Sequence, residues 1–266
     1  VSGPLLAVSG LTIDIGDRRV VDGLRLDLAA GEVTALVGRS GSGKSLTAGA
    51  LVGLRPEGAA LSGRALLDTG DGPPEDLLAP PRHRGRAPRG ARAGYVFQES
   101  QASLNPTVTV GRHLLETLRA HGVPRALRRA TGLAELSRAG LEQPERIWAG
   151  YPFELSGGQA QRVALALARA PGPRLLIADE ITSALDPVTQ AEVLDGLRAD
   201  AVAHGRALLL ITHDLAVAGR WADRVAVLGA GRIVESGPAA DVLGSPADPF
   251  TADLVRASGA TAGGRV

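Results

Sequence analysis

Cysteine and methionine are absent from these 266 residues, and lysine occurs once against 28 arginines. Without cysteine there is no disulfide, no thiolate zinc site and no cysteine-ligated iron–sulfur cluster, a usage compatible with a reducing compartment. Long hydrophobic runs are missing too: none approaches the roughly 18 residues that span a bilayer. No basic segment followed by an apolar stretch opens the chain, so no signal peptide is expected and the chain reads as soluble. Charge of one sign is lacking, since a net +1 gives no global field toward nucleic acid or an anionic membrane. Glycine and proline, 35 and 17, stay below the level that signals disorder. A chain of this length can bury the core of one large domain, or of a domain with a lobe.

The single lysine that survives is the most informative residue present. Lys44 lies in Gly38-Arg39-Ser40-Gly41-Ser42-Gly43-Lys44-Ser45, which fits the phosphate-binding pattern G-x-x-x-x-G-K-[ST]. Apolar Val33–Val37 precedes it as a strand, and Ser45–Val52 follows as a helix, the context this motif requires. Glycines let the backbone wrap a polyphosphate while successive N–H groups and the helix N-terminus face the anion. Lys44 is expected to reach the β- and γ-phosphates and the Ser45 hydroxyl to bind Mg²⁺.

Residues 5–37 alternate apolar and polar positions, with turns at Gly16-Asp17 and Ala30-Gly31. That predicts a small antiparallel sheet feeding the P-loop strand. Residues 69–92 read as a loop carrying Arg82, Arg84, Arg86, Arg89 and Arg92. The lack of interleaved aromatics argues for a solvated loop over a nucleic-acid patch. Residues 110–148 read as helical, with Val110, Leu114, Leu115 and Leu118 on one face, then Leu127, Leu133, Leu136 and Leu141. From Ser156 the pattern becomes helix 156–170, strand 175–178, helix 187–204 and strand 207–212. This alternation predicts an α/β fold with a mainly parallel sheet and a helical lobe inserted into it.

Strand 175–178 runs into Asp179-Glu180, at the sheet edge where open α/β folds place ligands. Asp179 suits water-mediated Mg²⁺ coordination, and Glu180 suits general-base polarisation of a hydrolytic water. Leu155-Ser156-Gly157-Gly158-Gln159 opens a helix with a hydroxyl and exposed N–H groups, a second anion seat. A plain helix cap would satisfy Ser-Gly-Gly alone. One chain with one P-loop has no use for a second phosphate-binding helix, unless that helix serves the nucleotide of a partner chain.

In order and over essentially its whole length, the sequence resembles the ATPase subunits of ABC transporters. Gly38–Ser45 is similar to the Walker A segment, and Gln98 in Tyr95-Val96-Phe97-Gln98 to the Q-loop glutamine. Leu155–Gln159 resembles the signature motif, and Leu175–Glu180 resembles Walker B with its catalytic glutamate. Ser183-Ala184-Leu185-Asp186 resembles the D-loop, and His213 in Ile211-Thr212-His213-Asp214 the switch histidine. The resemblance implies a P-loop NTPase (RecA-like) core with an N-terminal antiparallel β subdomain and an inserted α-helical lobe. It implies one domain, 1–266. Residues 1–98 and 166–245 would form the nucleotide-binding core, 99–165 a helical subdomain with the signature motif, and 246–266 a C-terminal tail. ATP would be held by Gly38–Ser45 and Leu46, with Ser45, Gln98 and Asp179 around Mg²⁺. Glu180, His213 and Gln98 would serve catalysis, Ser156, Gly158 and Gln159 would serve the nucleotide of a partner chain, and Ile15 and Asp186 would also contact nucleotide. Aligning Ile15-Gly16 with the family's usual aromatic–glycine pair puts isoleucine at the adenine, and Ile181 stands where the family usually has proline.

The resemblance further implies a second ABC ATPase subunit, identical or homologous, two transmembrane permease subunits and an extracytoplasmic substrate-binding protein. The chain would then sit at the cytoplasmic face of the cell membrane. Details such as Ser103-Leu104-Asn105-Pro106, Tyr151-Pro152-Phe153-Glu154 and Asp248-Pro249-Phe250-Thr251 resemble the peptide/nickel importer branch. The short C-terminus leans toward the nickel or metal-chelate type. An exporter of the same fold, or a soluble ABC-type ATPase, is the competing class. Glu180 argues against a non-catalytic ATP-binding module.

Overall fold

The computed structural model describes residues 3–79, 90, 92–98, 102–181 and 185–258. Strands β1 (Leu6–Ile15) and β2 (Arg18–Leu28) form a hairpin through Gly16-Asp17, as the alternation predicts. Strand β3 (Val33–Val37) runs into the glycine loop and α1 (Lys44–Leu51). Then come β4 (Ala59–Leu67), the two-residue β5 (Glu75–Asp76) and β6 (Ala93–Val96). A helical block follows: α2 (Val110–Ala120), α3 (Arg125–Arg138), α4 (Pro144–Ala149), a 3-10 turn at Pro152–Glu154, and α5 (Gly157–Arg169). The remainder is β7 (Leu175–Asp179), α6 (Pro187–His204), β8 (Ala207–Ile211), α7 (Leu215–Trp221), β9 (Arg224–Gly229), β10 (Arg232–Pro238), α8 (Ala239–Gly244) and α9 (Pro249–Ser258).

The strands divide into an antiparallel sheet ordered β2-β1-β4-β5 and a second sheet ordered β10-β9-β3-β8-β7-β6. In the second, β9, β3, β8, β7 and β6 are mutually parallel and only β10 is antiparallel. Every residue of β3, β7 and β8 is buried, because both faces of this sheet are covered. Their side chains alternate between two cores, as the period of two demands. Leu36, Leu175, Ile177, Leu209 and Ile211 meet Leu6, Leu11, Ile13, Leu24 and Leu28 of the antiparallel sheet. Val33, Ala35, Val37, Leu176, Leu208 and Leu210 face the opposite way, against Leu194, Leu197 and Trp221. A third core, with Val110, Leu114, Leu118, Leu136 and Trp148, belongs to the helical block. Helix α5 ties the second and third cores together, giving Val163 and Ala166 to the lobe and Ala164 and Leu165 to the sheet.

Strand β4 is not foreseen by the sequence reading, yet it pairs with β1 over most of its length. Two leucines assigned to the buried helical face are on the surface: Leu115 is 38% exposed and Leu127 is 55% exposed. Val110, Leu114 and Leu118 are spaced by four and stay in register, whereas Leu115 is turned about 100° from Leu114. Leu127 lies in the first turn of α3, away from the buried Leu136. Arg82, Arg84, Arg86 and Arg89 lie outside the described residues. Arg92 pairs with Asp71 at 3.3 Å and Glu75 at 3.2 Å, a use that fits a surface ion-pair cluster. Among the described residues no helix is long and apolar enough to cross a membrane.

Candidate functional site

The C-terminal ends of β3, β8, β7 and β6, neighbours in the sheet, carry in turn the glycine loop, His213, Asp179-Glu180 and Gln98. Residues scattered over 175 positions of sequence thus meet along one edge because parallel strands all point the same way.

The glycine loop is built where side chains would not fit. Gly38 has φ 155°, and a Cβ there would stand 2.3 Å from the Leu228 carbonyl oxygen. Gly43 has φ 105°, with a hypothetical Cβ 3.0 Å from Val21 Cγ2 and 3.3 Å from the Val20 oxygen. The loop is therefore pressed between β2 and β9. Lys44 opens α1 and is 6% exposed. Its Nζ donates to the carbonyls of Gly38 at 2.9 Å and Arg39 at 3.1 Å. Burial lowers the Lys44 pKa, opposed by the charges of Glu180 and Asp179. Ser40, Gly41 and Ser45 are exposed, Leu46 is half-buried, and Ser42 Oγ is buried with no hydrogen-bond partner among the described residues. The exposed Arg39 guanidinium lies 5.3 Å from the ring centre of Phe250, so α9 reaches the loop.

The two acids at the end of β7 are held separately. Glu180 takes a left-handed backbone, φ 48°, and its N–H donates to the Ile211 carbonyl at 3.0 Å. Gln98 Nε2 donates to Glu180 Oε2 at 2.9 Å, and His213 Nδ1 lies 3.1 Å from Glu180 Oε1. Three residues singled out in the sequence thus form one linked group. Asp179 is 5% exposed and accepts a 2.6 Å hydrogen bond at Oδ2 from the Tyr95 hydroxyl. Burial, then the bond to Asp179, pushes the Tyr95 phenol far above its ordinary pKa. Ile181 is buried in the second core, at 1% exposure.

Sequence reasoning missed Tyr95 and the walls of the loop, Val20, Val21, Leu228 and Phe250. Tyr95 is one of two tyrosines and stands three residues before Gln98, the only signal available. Val20, Val21 and Leu228 come from strands remote in sequence and carry no motif, while Phe250 stands out in the sequence only as part of Asp248-Pro249-Phe250-Thr251, with no sign that it lies beside the loop.

Ser156, Gly158 and Gln159 are not brought to the P-loop of their own chain. They line a pocket of about 600 Å³ with Arg138, Arg162 and Glu192, and no P-loop residue lines it. The cap is present as well: Ser156 Oγ accepts from Gln159 N–H at 3.3 Å, and Gln159 Oε1 accepts from Ser156 N–H at 3.0 Å. Asp186 caps α6, accepting from Val188 and Thr189 N–H at 3.1 Å. Bonds from Thr189 hold its carboxyl below the usual range. Ser183 and Ala184 of the same motif lie outside the described residues. Ile15 ends β1 and is half-buried against the first core.

The oxygens present suit a hard divalent cation. Asp179 Oδ1 is buried and has no hydrogen-bond partner among the described residues, while the Ser45 hydroxyl is exposed at the start of α1. Among the described residues no three His, Cys, Asp or Glu side chains gather to form a cage. The orphaned Asp179 oxygen and the Ser45 hydroxyl suit Mg²⁺, which takes one or two protein oxygens and fills its shell with phosphate and water.

The profile described as ABC transporter matches residues 21–183, a span that includes the P-loop, Gln98, Ser156–Gln159, Asp179 and Glu180. The chain is 43% identical to the peptidoglycan transport ATP-binding protein YejF of Agrobacterium fabrum, covering 96% of this chain and 47% of that one. It is 42% identical to the oligopeptide transport ATP-binding protein OppD of Mycobacterium tuberculosis, covering 95% and 41%. The chain thus spans about half the length of the curated relatives it matches. Among solved structures, the dimeric ATP-binding cassette MJ0796, in a post-hydrolysis state with ADP and Pi, superposes with TM-score 0.74. Identity there is 26%, over 88% of this chain and 98% of that one. The antiparallel sheet, the mostly parallel sheet and the helical block are the ABC cassette fold. With the P-loop, Asp179 and the linked Gln98, Glu180 and His213 at one sheet edge, and with the profile matched over residues 21–183, this chain belongs to the ABC transporter family.

Proposed function

We propose that the chain is the ATP-hydrolysing subunit of an importer for peptides. The observation that carries the hydrolytic part is the grouping of Gln98, Glu180 and His213 beside the P-loop lysine, with Gln98 and His213 both on the Glu180 carboxylate. ATP is the substrate, cradled by the backbone of Gly38–Ser45 and Leu46, with Ile15 offering aliphatic surface to the base. Lys44 exchanges the carbonyls of Gly38 and Arg39 for phosphate oxygens, a charge-assisted contact stronger than the pair it leaves. Mg²⁺, when bound, would offset the charge of the phosphates, held by Ser45, Asp179 and Gln98. Glu180 takes the proton of the attacking water while Gln98 and His213 fix its carboxylate.

The second half of the site comes from another ABC ATPase subunit of the same kind. Ser156 Oγ spends a lone pair on Gln159 N–H, which leaves its own proton to donate to a phosphate of the partner's nucleotide. Gly158 and Gln159 add their N–H groups, and Asp186 acts at the same interface from the start of α6. On this reading residues 1–98 and 166–245 are the nucleotide-binding core, 99–165 the helical subdomain with the signature motif, and 246–266 the tail. Two permease subunits and an extracytoplasmic binding protein complete the assembly, with this chain at the cytoplasmic face of the membrane. The names of YejF and OppD concern peptidoglycan and oligopeptides, which supports peptides; the leaning toward nickel finds no specific support there.

Two measurements test this together. The purified chain should hydrolyse ATP with Mg²⁺, and Lys44→Ala should abolish it. Cells lacking the gene should lose uptake of a labelled oligopeptide and keep nickel uptake. A chain without Lys44-dependent hydrolysis, or cells with undiminished peptide uptake, would contradict the proposal.

A further inference from the structure

We propose that Tyr95 is a positioning residue for the metal-facing carboxylate: its hydroxyl pins Asp179 Oδ2 so that Oδ1 is presented to the cation. The proposal rests on the assignment of Asp179 to Mg²⁺ made above. The two oxygens of Asp179 are unequal. Oδ2 accepts the 2.6 Å bond from Tyr95, and Oδ1 is buried with no hydrogen-bond partner among the described residues. A carboxylate with one oxygen tied cannot spin about its terminal torsion, which is otherwise broad and two-fold.

Tyr95 is itself immobilised. It pairs with Ile177 in the β6–β7 ladder, two residues before Asp179. Its ring packs against the first core and lies 4.6 Å from the ring of Phe97. The neighbouring Glu180 is held by Gln98 and His213, whereas the Tyr95 hydroxyl donates to Asp179. Without the hydroxyl, Asp179 is free to turn Oδ1 away from the cation. Groups that orient a metal ligand in this manner typically change metal affinity 10–100-fold when removed.

The test uses the full chain saturated with AMP-PNP, with Mn²⁺ titrated by electron paramagnetic resonance. Tyr95→Phe keeps the ring, the Phe97 contact and the strand, and removes only the hydrogen bond. Mn²⁺ affinity should fall about tenfold, while AMP-PNP affinity in EDTA stays within about twofold, which also reports an intact fold. Asp179→Asn should weaken Mn²⁺ as well, and adding Tyr95→Phe to it should cause no further loss. Unchanged Mn²⁺ affinity in Tyr95→Phe, with Asp179→Asn weakened, would overturn the role of Tyr95 and leave the site assignment standing. A further loss in the double variant would overturn it too, since Tyr95 would then act elsewhere. Unchanged affinity in Asp179→Asn would overturn both.

Discussion

Replacing Glu180 by glutamine separates chemistry from binding at this site. The carboxamide has the same shape, so its oxygen can still accept from Gln98 and its NH₂ can donate to His213 Nδ1 when that nitrogen is unprotonated. The 2.9 Å and 3.1 Å contacts of the wild type therefore have replacements, and the left-handed backbone at φ 48° keeps a side chain of equal bulk. What disappears is the ability to take a proton. General-base assistance is worth about 10²–10⁴ in rate, or about 2.7–5.5 kcal/mol of barrier. Lys44 loses one of the two carboxylates that favour its charged form, and Asp179 remains. ATP affinity should accordingly stay within a few-fold of wild type, because the phosphate-facing groups are untouched. Single-turnover hydrolysis of radiolabelled ATP, alongside equilibrium nucleotide binding in the assembled complex, measures both quantities. Hydrolysis within threefold of wild type would refute the assignment of Glu180 as base.

Ile15→Tyr should tighten ATP binding by about 0.5–1.5 kcal/mol by stacking on the base; unchanged affinity in a nucleotide titration would mean that Ile15 does not face it. Gly43→Ala should remove ATP binding, since its Cβ would meet Val21 Cγ2 at 3.0 Å from a φ of 105°; calorimetric titration checks it. Gly111→Ala drives a methyl to 2.3 Å from Trp148 Nε1 and should destabilise the helical lobe by about 1–3 kcal/mol, read by thermal unfolding. In a mixture of Lys44→Ala and Ser156→Arg chains, one composite site is intact, so part of the ATPase activity should return if the two subunits are identical; none returning would argue against composite sites.

The site was legible where function is written in contiguous residues. Gly38–Ser45 announces a loop because its glycines are needed at φ values that other residues avoid. Asp179-Glu180 announces a strand end because four apolar residues precede it. The order of motifs then places Gln98 and His213. What sequence could not supply is contact between remote segments. Tyr95 reads as an ordinary strand aromatic until β6 is laid beside β7, and only the register Tyr95↔Ile177 brings its hydroxyl to Asp179. Strand β4 escaped because its apolar positions are interrupted by Ser62, Gly63 and Arg64, and pairing with β1 overrides that weak local signal. Leu115 and Leu127 were misplaced because hydrophobicity alone was counted where helical phase decides. Ser156 shows the opposite limit: its cap is visible in the single chain, whereas the proposed nucleotide contact would need a second chain.

The measurement closest to the central claim is the mass of the Glu180→Gln chain in solution, by light scattering, with ATP or ADP present. If Ser156-Gly157-Gly158 closes over the nucleotide held at Lys44 of a second copy, ATP should double the mass and ADP should not. Adding Ser156→Arg should restore the single-chain mass. A Glu180→Gln chain that binds ATP at Lys44 and stays single, or that pairs equally well with Ser156→Arg, would contradict a site shared between two copies of this chain.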